Sequence, residues 1–241
     1  VTTTVMSTIT NLIEPNRLLL SWQRPLVDAG RRTRHVVGEI TRDSAGNAVF
    51  SYLYDTADFK QAEEEGFQGF PAFRLGQLAY TDNVLEAFSC RLPSRKRGDF
   101  AEYLIAHCLP IDFAGSDFSL LAHTGARLPG DGFEIFPDVE SISLPFDLVV
   151  EVAGTRHQGL SALDGLSVGD MVDLCAEPDN PIDPTAIVIR QEKMGVLGYI
   201  PKPYCPHLQP LIAAGRIMAR ICKLNGRPER RLIYLLLSAK S

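Results

Sequence analysis

The chain has 241 residues, of which 45% are hydrophobic and 22% charged, and a formal net charge of -5 at pH 7. These values are ordinary for globular proteins, and no apolar run approaches the roughly 18 to 20 residues that a membrane span needs. The length falls between one large domain and two ordinary ones, so we expect two domains. The N-terminal residues lack the basic start and apolar centre of a secretory signal, which predicts a cytoplasmic protein that does not contact a membrane.

The first part of the chain predicts an α+β domain. The alternating apolar runs RHVVGEITRD and NAVFSYLYD flank the turn-forming residues SAGN, a pattern typical of a β-hairpin. Three segments predict short helices: TADFKQAEEEG, RGDFAEYLIAHCL and GSDFSLLAHTG. The first should end at Gly66, and the third should run from a cap at Ser116 or Asp117 to Gly125. The run DGFEIFPDV then predicts a strand.

The second part predicts a small β-barrel. Glycine, proline, aspartate and asparagine separate six short β-like runs: LPFDLVVEVAG, DMVDLCAE, AIVIR, GVLGYIP, GRIMARICKLN and RRLIYLLLS. Several strands at this spacing favour a closed or half-closed barrel, with one helical insertion near YCPHLQPLIAAG. We place the domain boundary at SISLP, which gives an α+β domain of residues 1–143 and a barrel domain of residues 144–241.

The five cysteines are odd in number, widely spaced and never form a C-x-x-C pair. They are Cys90, Cys108, Cys175, Cys205 and Cys222. This pattern predicts reduced, mostly buried thiols and argues against a disulfide framework or a zinc site.

Charge is distributed unevenly along the chain. Residues 190–241 contain ten Lys or Arg against two Glu, a difference of +8, so the acidity lies in the rest of the sequence. A basic end segment is compatible with a phosphate-bearing partner, and a solvated cationic face explains it equally well.

The sequence contains no motif for a nucleotide loop, a dinucleotide fold, a nucleophile elbow or a zinc protease. We therefore predict a protein that is not an enzyme, with no catalytic residues, no metal and no cofactor. An alternative is a metal-dependent nuclease, because paired carboxylates can hold Mg²⁺. Its ligands would be drawn from Asp170, Asp173, Asp179 and Asp183.

The run EPDNPIDPTAIVI, which begins at Glu177, is the most specific polar stretch. Its prolines fix their own φ and restrict the residues before them, so Asp179 and Asn180 should stand on a stiff turn. Asp183 can instead hydrogen-bond the amides of the turn itself. A plain Asx-type turn that feeds the following strand therefore remains the alternative.

This run resembles the core of the HIRAN domain, a β-barrel module of HLTF-type helicases and of stand-alone bacterial proteins. The similarity covers about residues 144–237 and includes VAGTRHQGL before the run and GVLGYIPK after it. The resemblance implies that the barrel binds the end of a single DNA strand. It also implies the binding residues: Arg156, His157, Asp179, Asn180, Asp183, Tyr199 and Lys202.

Each implied residue has a role in that resemblance. Arg156 and Lys202 would contact phosphate, and His157 and Tyr199 would offer planar faces to bases. Asn180 and Asp183 would read the sugar hydroxyl or the base edge. DNA-end binders of the family carry an aromatic residue where this chain has Ile182, and an asparagine where it has Asp179.

The first domain resembles the N-terminal, non-catalytic segment of HipA-type kinases. The similar stretches are VGEITRDSAGNAVFSYLYD, RLPSRKRGDFAEYL and SDFSLLAHTGARLPGDGFEIFPD, in that order between residues 34 and 138. The kinase's nucleotide loop and catalytic aspartates do not follow. The resemblance implies a partner-contacting domain of the kind found in toxin–antitoxin systems.

Together these predictions favour a bacterial, cytoplasmic, non-enzymatic protein that binds single-stranded or terminal DNA and assembles through its first domain. The main alternative is a protein-interaction subunit, which would dock on or neutralise a HipA-like kinase toxin or another effector and use the barrel as a scaffold.

Overall fold

The computed structural model describes residues 8–25, 33–155, 165–227 and 230–241, and the side chains of residues 227, 230 and 231 are not described. The chain forms two compact units. The N-terminal unit contains residues 14–100 and 114–142, and the barrel unit contains residues 1–13, 101–113 and 143–241. The segment 101–113 thus packs with the barrel, although it precedes the boundary drawn from the sequence.

The N-terminal unit is built on a four-stranded antiparallel sheet in the order β3-β2-β1-β4. Its strands are β1 (Arg17–Gln23), β2 (Arg34–Arg42), β3 (Ala48–Tyr52) and β4 (Phe133–Pro137). Its helices are α1 (Ala57–Glu64), α2 (Val84–Ser89) and α4 (Asp117–Thr124). An aromatic-rich core packs on the sheet, and it includes Phe50, Phe59, Phe88 and Phe118, all fully buried.

Helix ends in this unit follow the local sequence. The Thr56 hydroxyl accepts a hydrogen bond from the Phe59 N–H, and the Ser116 hydroxyl accepts one from the Ser119 N–H. Gly125 ends α4 with a positive φ of 70°, which a residue without a Cβ adopts at little cost. The predicted cap at Ser116 and the stop at Gly125 are confirmed.

The barrel unit contains six antiparallel strands in the order β5-β10-β9-β6-β7-β8. These are β5 (Phe146–Glu151), β6 (Met171–Ala176), β7 (Ile187–Gln191), β8 (Gly195–Tyr199), β9 (Ile217–Arg227) and β10 (Arg230–Ala239). The helices of the unit are α3 (Phe100–Ala106), whose first residue belongs to the other unit, and α5 (Cys205–Ala213), which follows a 3₁₀ turn at Lys202–Tyr204.

The two edges of this sheet meet at one point. Beyond the end of β5, Ala153 forms an isolated antiparallel bridge with Tyr199 at the end of β8. A sheet that pairs both edges removes its exposed backbone groups, as small barrels do. The six predicted strands and the helical insertion are confirmed, and the bridge joins the edges that would otherwise stay open.

Asp147 ties the N-terminal segment to the barrel. Its Oδ2 accepts hydrogen bonds from the Thr10 N–H, the Thr10 hydroxyl and the Asn11 N–H, each at 2.9 Å. Burial would raise the pKa of this carboxyl, but hydrogen bonds from Asn11, Ser238 and Thr10 hold it below its ordinary value. A buried carboxylate with this many donors is strongly stabilised in its charged form.

In the described part of the chain, no helix has the length and apolarity required to cross a bilayer. The β-hairpin and the three helices expected in the first part are present. Strand β1 and helix α2 were not predicted from the sequence.

Candidate nucleic-acid interface

The loop from Glu177 to Ala186 joins β6 to β7, and a backbone hydrogen bond connects its two ends. The Glu177 N–H donates to the Ala186 carbonyl at 2.9 Å, and the Asn180 N–H donates to the Glu177 carbonyl at 3.0 Å. Three prolines within it restrict the backbone further. We call this segment the proline loop.

Two side chains of the proline loop hold its conformation from within. The Asn180 Oδ1 accepts hydrogen bonds from the N–H groups of Ile182 at 3.0 Å and Asp183 at 3.2 Å. The Asp183 Oδ1 accepts from the N–H and the hydroxyl of Thr185 at 2.8 and 2.6 Å. These are successive Asx turns, so the turn-forming role expected as the alternative for Asp183 is present and extends to Asn180.

A shallow concavity of about 460 Å³ lies beside the proline loop. It is lined by Ala176, by residues 177–181 and by Tyr199. The rim carries an exposed carboxylate, Asp179, and Ile182, three residues further along the loop, has 68% of its surface exposed. The cavity is thus open to solvent and combines polar groups with one aromatic ring.

Glu177 is the hub of the polar contacts in this concavity. Its Oε2 accepts a hydrogen bond from the Asn180 Nδ2 at 3.0 Å, and its Oε1 lies 3.6 Å from a terminal guanidinium nitrogen of Arg190. The Tyr199 hydroxyl also hydrogen-bonds with the Glu177 carboxylate. Three residues from β7, β8 and the proline loop therefore converge on one carboxylate.

The same contacts act on the titration of Tyr199. Burial raises the pKa of its hydroxyl, and the adjacent Glu177 carboxylate raises it further, because an ionised phenol would stand beside a like charge. Arg190 and the Asn180 side chain lower this pKa in opposition, and the net shift is upward. The phenol is accordingly kept as a hydrogen-bond donor.

The backbone at Tyr199 is fixed from two sides. Tyr199 pairs with Val188 of β7, and it exchanges two hydrogen bonds with Ala153, at 2.8 and 2.9 Å. The preceding Gly198 has a φ of 147°, and a Cβ there would lie 2.4 Å from the Ala153 carbonyl oxygen. Glycine is required at this position because the facing backbone approaches so closely.

Residues 145–234 match the model of the HIRAN domain. The comparison with solved structures found the crystal structure of the HIRAN domain of human HLTF, at 18% identity and a TM-score of 0.31. That match covers 39% of this chain and 77% of the other. No curated protein matches the chain.

The HIRAN resemblance predicted from the motifs is thus confirmed for residues 145–234, which we call the HIRAN segment. The match does not include residues of the N-terminal unit. The HipA-type resemblance of residues 34–138 stays a prediction.

The HIRAN segment brings some of the predicted binding residues together. Asp179, Asn180 and Tyr199 line the concavity, and Asp183 joins them through its amide contact with Asn180. Lys202 is exposed at the first residue of the 3₁₀ turn, three residues beyond Tyr199, and does not line the concavity. Arg156 and His157 lie outside the described residues.

The basic residues near the C-terminus have several separate partners. Arg190 pairs with Glu177, and the Arg216 Nε donates to the Lys240 carbonyl at 3.2 Å. Lys223 donates from its Nζ to the Ala106 carbonyl at 2.9 Å and lies over the Tyr234 ring. These cations are therefore spread over the barrel unit, and the side chains of residues 227, 230 and 231 are not described.

The acids considered for a nuclease have different surroundings. Asp170 accepts a hydrogen bond from the Ser167 N–H at 2.8 Å, and Asp173 is exposed on β6 opposite Arg190. Within the described residues, neither these two nor Asp179 and Asp183 belong to a group of three side chains that could share one metal ion.

Glu177 and Arg190 were not predicted from the sequence as site residues. Glu177 is the first residue of the proline loop motif, and Arg190 is the charged residue that directly follows the apolar run AIVI. Their meeting with Tyr199 depends on the register of β7 and β8, which includes an irregularity between Ile189 and Arg190. Such a shift moves a side chain relative to its neighbours and is not visible in the pattern.

Proposed function

We propose that the HIRAN segment binds nucleic acid at this concavity, preferably single-stranded DNA or a DNA end, and that the chain is a cytoplasmic protein without enzymatic activity. The observation that carries the proposal is the placement of the Tyr199 ring against the stiff proline loop, in the segment that matches the HIRAN model. An aromatic face beside fixed polar groups suits a base that is not held in a duplex. The match to the HIRAN model supports DNA as the ligand class.

The charges in the concavity determine which groups of the nucleic acid each residue contacts. Glu177 places a carboxylate at the centre of the concavity, and Asp179 adds another at its rim, so phosphate is disfavoured there. Hydrogen-bond donors of a base or a sugar can approach these carboxylates. We therefore assign the phosphate contacts to the cations Arg156 and Lys202.

The aromatic and amide groups have distinct tasks in the proposal. Tyr199 and His157 provide the faces on which bases stack. Asn180 has both its oxygen and its nitrogen engaged, with the turn amides and with Glu177, so its main contribution is to position the loop. Asp183 has one oxygen on Thr185 and offers the other to a sugar hydroxyl.

Fluorescence anisotropy tests the proposal, with labelled single-stranded, blunt and overhang oligonucleotides at low and moderate salt. We expect the single strand and the overhang to bind more tightly than the blunt duplex, and all affinities to fall as salt rises. The double variant Arg156→Ala, Lys202→Ala should weaken binding and flatten the salt dependence. The double variant Lys60→Ala, Lys96→Ala, at two exposed lysines of the N-terminal unit, is the matched charge control. Absence of binding at low salt, or no effect of the double variant, contradicts the pocket as drawn.

A second candidate function is protein interaction through the N-terminal unit, and one surface loop favours it. The Gly76 N–H donates to the Tyr54 hydroxyl at 2.8 Å, that hydroxyl donates to the Gln77 carbonyl at 3.2 Å, and the Tyr80 hydroxyl donates to the Arg74 carbonyl. This ordered loop presents Leu78 with 83% of its surface exposed. In this second proposal the Leu78 side chain is the contact point for the other protein.

Co-purification from the native host discriminates between the two candidates. The wild-type chain and a Leu78→Ser variant would be recovered in parallel, with and without nuclease treatment. A stoichiometric protein, such as a HipA-type kinase, that is lost only in the variant supports the second function. Recovery of nucleic acid with both chains, and of no stoichiometric protein, supports the first.

A further inference from the structure

The concavity beside the proline loop holds two carboxylates, and their surroundings differ. The Glu177 carboxylate is contacted by the side chains of Asn180, Arg190 and Tyr199. Asp179 is exposed, and within the described part of the chain its carboxylate forms no hydrogen bond or ion pair. Asp179 is therefore the carboxylate whose two oxygens are available to a ligand.

The hydrogen-bond donors around the concavity are mostly engaged by the protein itself. The N–H groups of Glu177 and Asn180 donate to backbone carbonyls within the proline loop. Pro178 and Pro181 have no N–H group to offer. The Asn180 Nδ2 and the Tyr199 hydroxyl both bond to the Glu177 carboxylate. The concavity thus presents a ligand with an aromatic ring and acceptor oxygens, and it favours ligand groups that donate.

The four bases differ in the donors on their unpaired edges. Thymine has a single ring N–H between two carbonyl oxygens, and cytosine and adenine have an amino group beside an acceptor nitrogen. Guanine has two adjacent donors, its N1–H and its N2 amino group. An ionised carboxylate has two acceptor oxygens side by side and forms strong bidentate pairs with two parallel N–H groups. The guanine edge therefore matches a free carboxylate best.

The same charge acts against thymine. A thymine stacked on the Tyr199 ring with its edge toward Asp179 would bring a carbonyl oxygen close to the carboxylate, and the two negative groups repel. Discrimination between ligands is larger when a site attracts one and repels the other. The concavity combines both effects.

We propose that the concavity selects guanine among unpaired bases, with the Tyr199 ring stacked on the base and the Asp179 carboxylate accepting hydrogen bonds from its N1–H and N2 amino group. Asp179 is then the residue that determines specificity. The inference rests on the proposed function, because it names the base that the same concavity takes from a single strand.

Competition measured by fluorescence anisotropy tests the selection with three short single strands. They are oligothymidylate, the same strand with one guanine, and the same strand with inosine in place of that guanine, which is placed in turn at the 3′ end, the 5′ end and the middle. Inosine lacks the N2 amino group but keeps the purine ring, so it separates hydrogen bonding from the stronger stacking of a purine. At one or more of these positions, we expect the guanine strand to bind about fivefold or more tightly than oligothymidylate, with the inosine strand between them.

Asp179→Asn tests the residue itself. An asparagine offers one oxygen and one amino group, so it cannot accept from both guanine donors, and the guanine and inosine strands should bind equally to this variant. Glu192→Gln is the matched control. It removes one exposed carboxylate from the turn between β7 and β8 that does not line the concavity, and it should retain the preference for guanine.

The possible outcomes separate this inference from the proposed function. Equal binding of the guanine and inosine strands to the wild-type chain overturns the selection and leaves single-strand binding standing. A preference that persists in Asp179→Asn overturns the role of Asp179. Absence of binding by every strand at low salt overturns the proposed function and this inference with it. The wild-type comparison requires no variant, so the inference stays open to refutation if Asp179→Asn fails to fold.

Discussion

Tyr199 and Ala153 exchange a pair of backbone hydrogen bonds, at 2.8 and 2.9 Å, and join the two edges of the six-stranded sheet. The residue that closes the barrel is therefore also the residue whose ring lines the concavity. Stability of the closure and geometry of the site are linked through one position.

Gly198→Ala should destabilise the barrel unit strongly. The new Cβ would lie 2.4 Å from the Ala153 carbonyl oxygen and 2.7 Å from the Val152 Cγ1. We expect the free energy of unfolding to fall by about 3 kcal/mol or more, measured by urea denaturation. Gly195→Ala is the matched control, because Gly195 also has a positive φ but has nothing within 4 Å of its Cβ position. A loss equal to the roughly 1 to 2 kcal/mol expected for the control would argue against the close approach.

The pKa of Tyr199 should move in opposite directions in two variants. Glu177→Gln removes a carboxylate that raises this pKa, so the pKa should fall. Arg190→Gln removes a cation that lowers it, so the pKa should rise. NMR titration of ring-labelled tyrosine, with the Tyr199 signal assigned from Tyr199→Phe, measures both shifts. Equal pKa values in all three backgrounds would show that Glu177 and Arg190 do not face the phenol.

Asp147→Asn should weaken the anchoring of the N-terminal segment. The carboxylate accepts hydrogen bonds from Thr10 and Asn11, and its pKa lies below the ordinary value of an aspartate. A depressed pKa contributes stability that is present above the unfolded-state value and is lost as the pH falls through the folded-state value. The variant should therefore be less stable than the wild type at pH 7, and the difference should shrink below about pH 4. A difference that does not depend on pH would contradict this role.

Ile182→Tyr should strengthen single-strand binding. Ile182 is exposed at the lip of the proline loop, and only its N–H is engaged, with Asn180, so a larger side chain fits without repacking. An aromatic residue there adds a stacking face worth about 1 to 3 kcal/mol, which is roughly a fivefold gain in affinity or more. Ile182→Lys is the control that separates stacking from charge, because its gain should vanish at moderate salt while that of the tyrosine persists. Unchanged affinity for Ile182→Tyr would mean that bases do not pass over the loop.

Local sequence patterns predicted most strands of the barrel unit. Glycine, proline and asparagine separate strands such as β7 and β8, and alternation within each strand marks it. The pattern failed for β1, because Leu18-Leu19-Leu20 is a continuous apolar run in the sequence, although only Leu18 and Leu20 are fully buried. It also failed for α2, which is six residues long and whose N-cap residue, Asn83, makes no side-chain capping hydrogen bond.

Non-local placement could not be predicted. The segment 101–113 was assigned to the first domain because it precedes the boundary drawn at residue 143. In the structure it packs in the barrel unit. The sequence motif drew attention to Asn180 and Asp183 as ligand groups, whereas the structure shows that the turn itself uses their oxygens. Glu177 became the hub only through the fold, since Tyr199 is 22 positions away.

The most direct measurement is the affinity of a labelled single-stranded oligonucleotide for three chains: wild type, Tyr199→Phe and Tyr199→Ala. Tyr199→Phe keeps the ring and should retain most of the affinity, whereas Tyr199→Ala should lose about fivefold or more, because one stacking face is removed. Circular dichroism and urea denaturation would verify that each chain remains folded. Equal affinity of a folded Tyr199→Ala chain, or no binding by the wild type at low salt, would contradict the concavity as the nucleic-acid site.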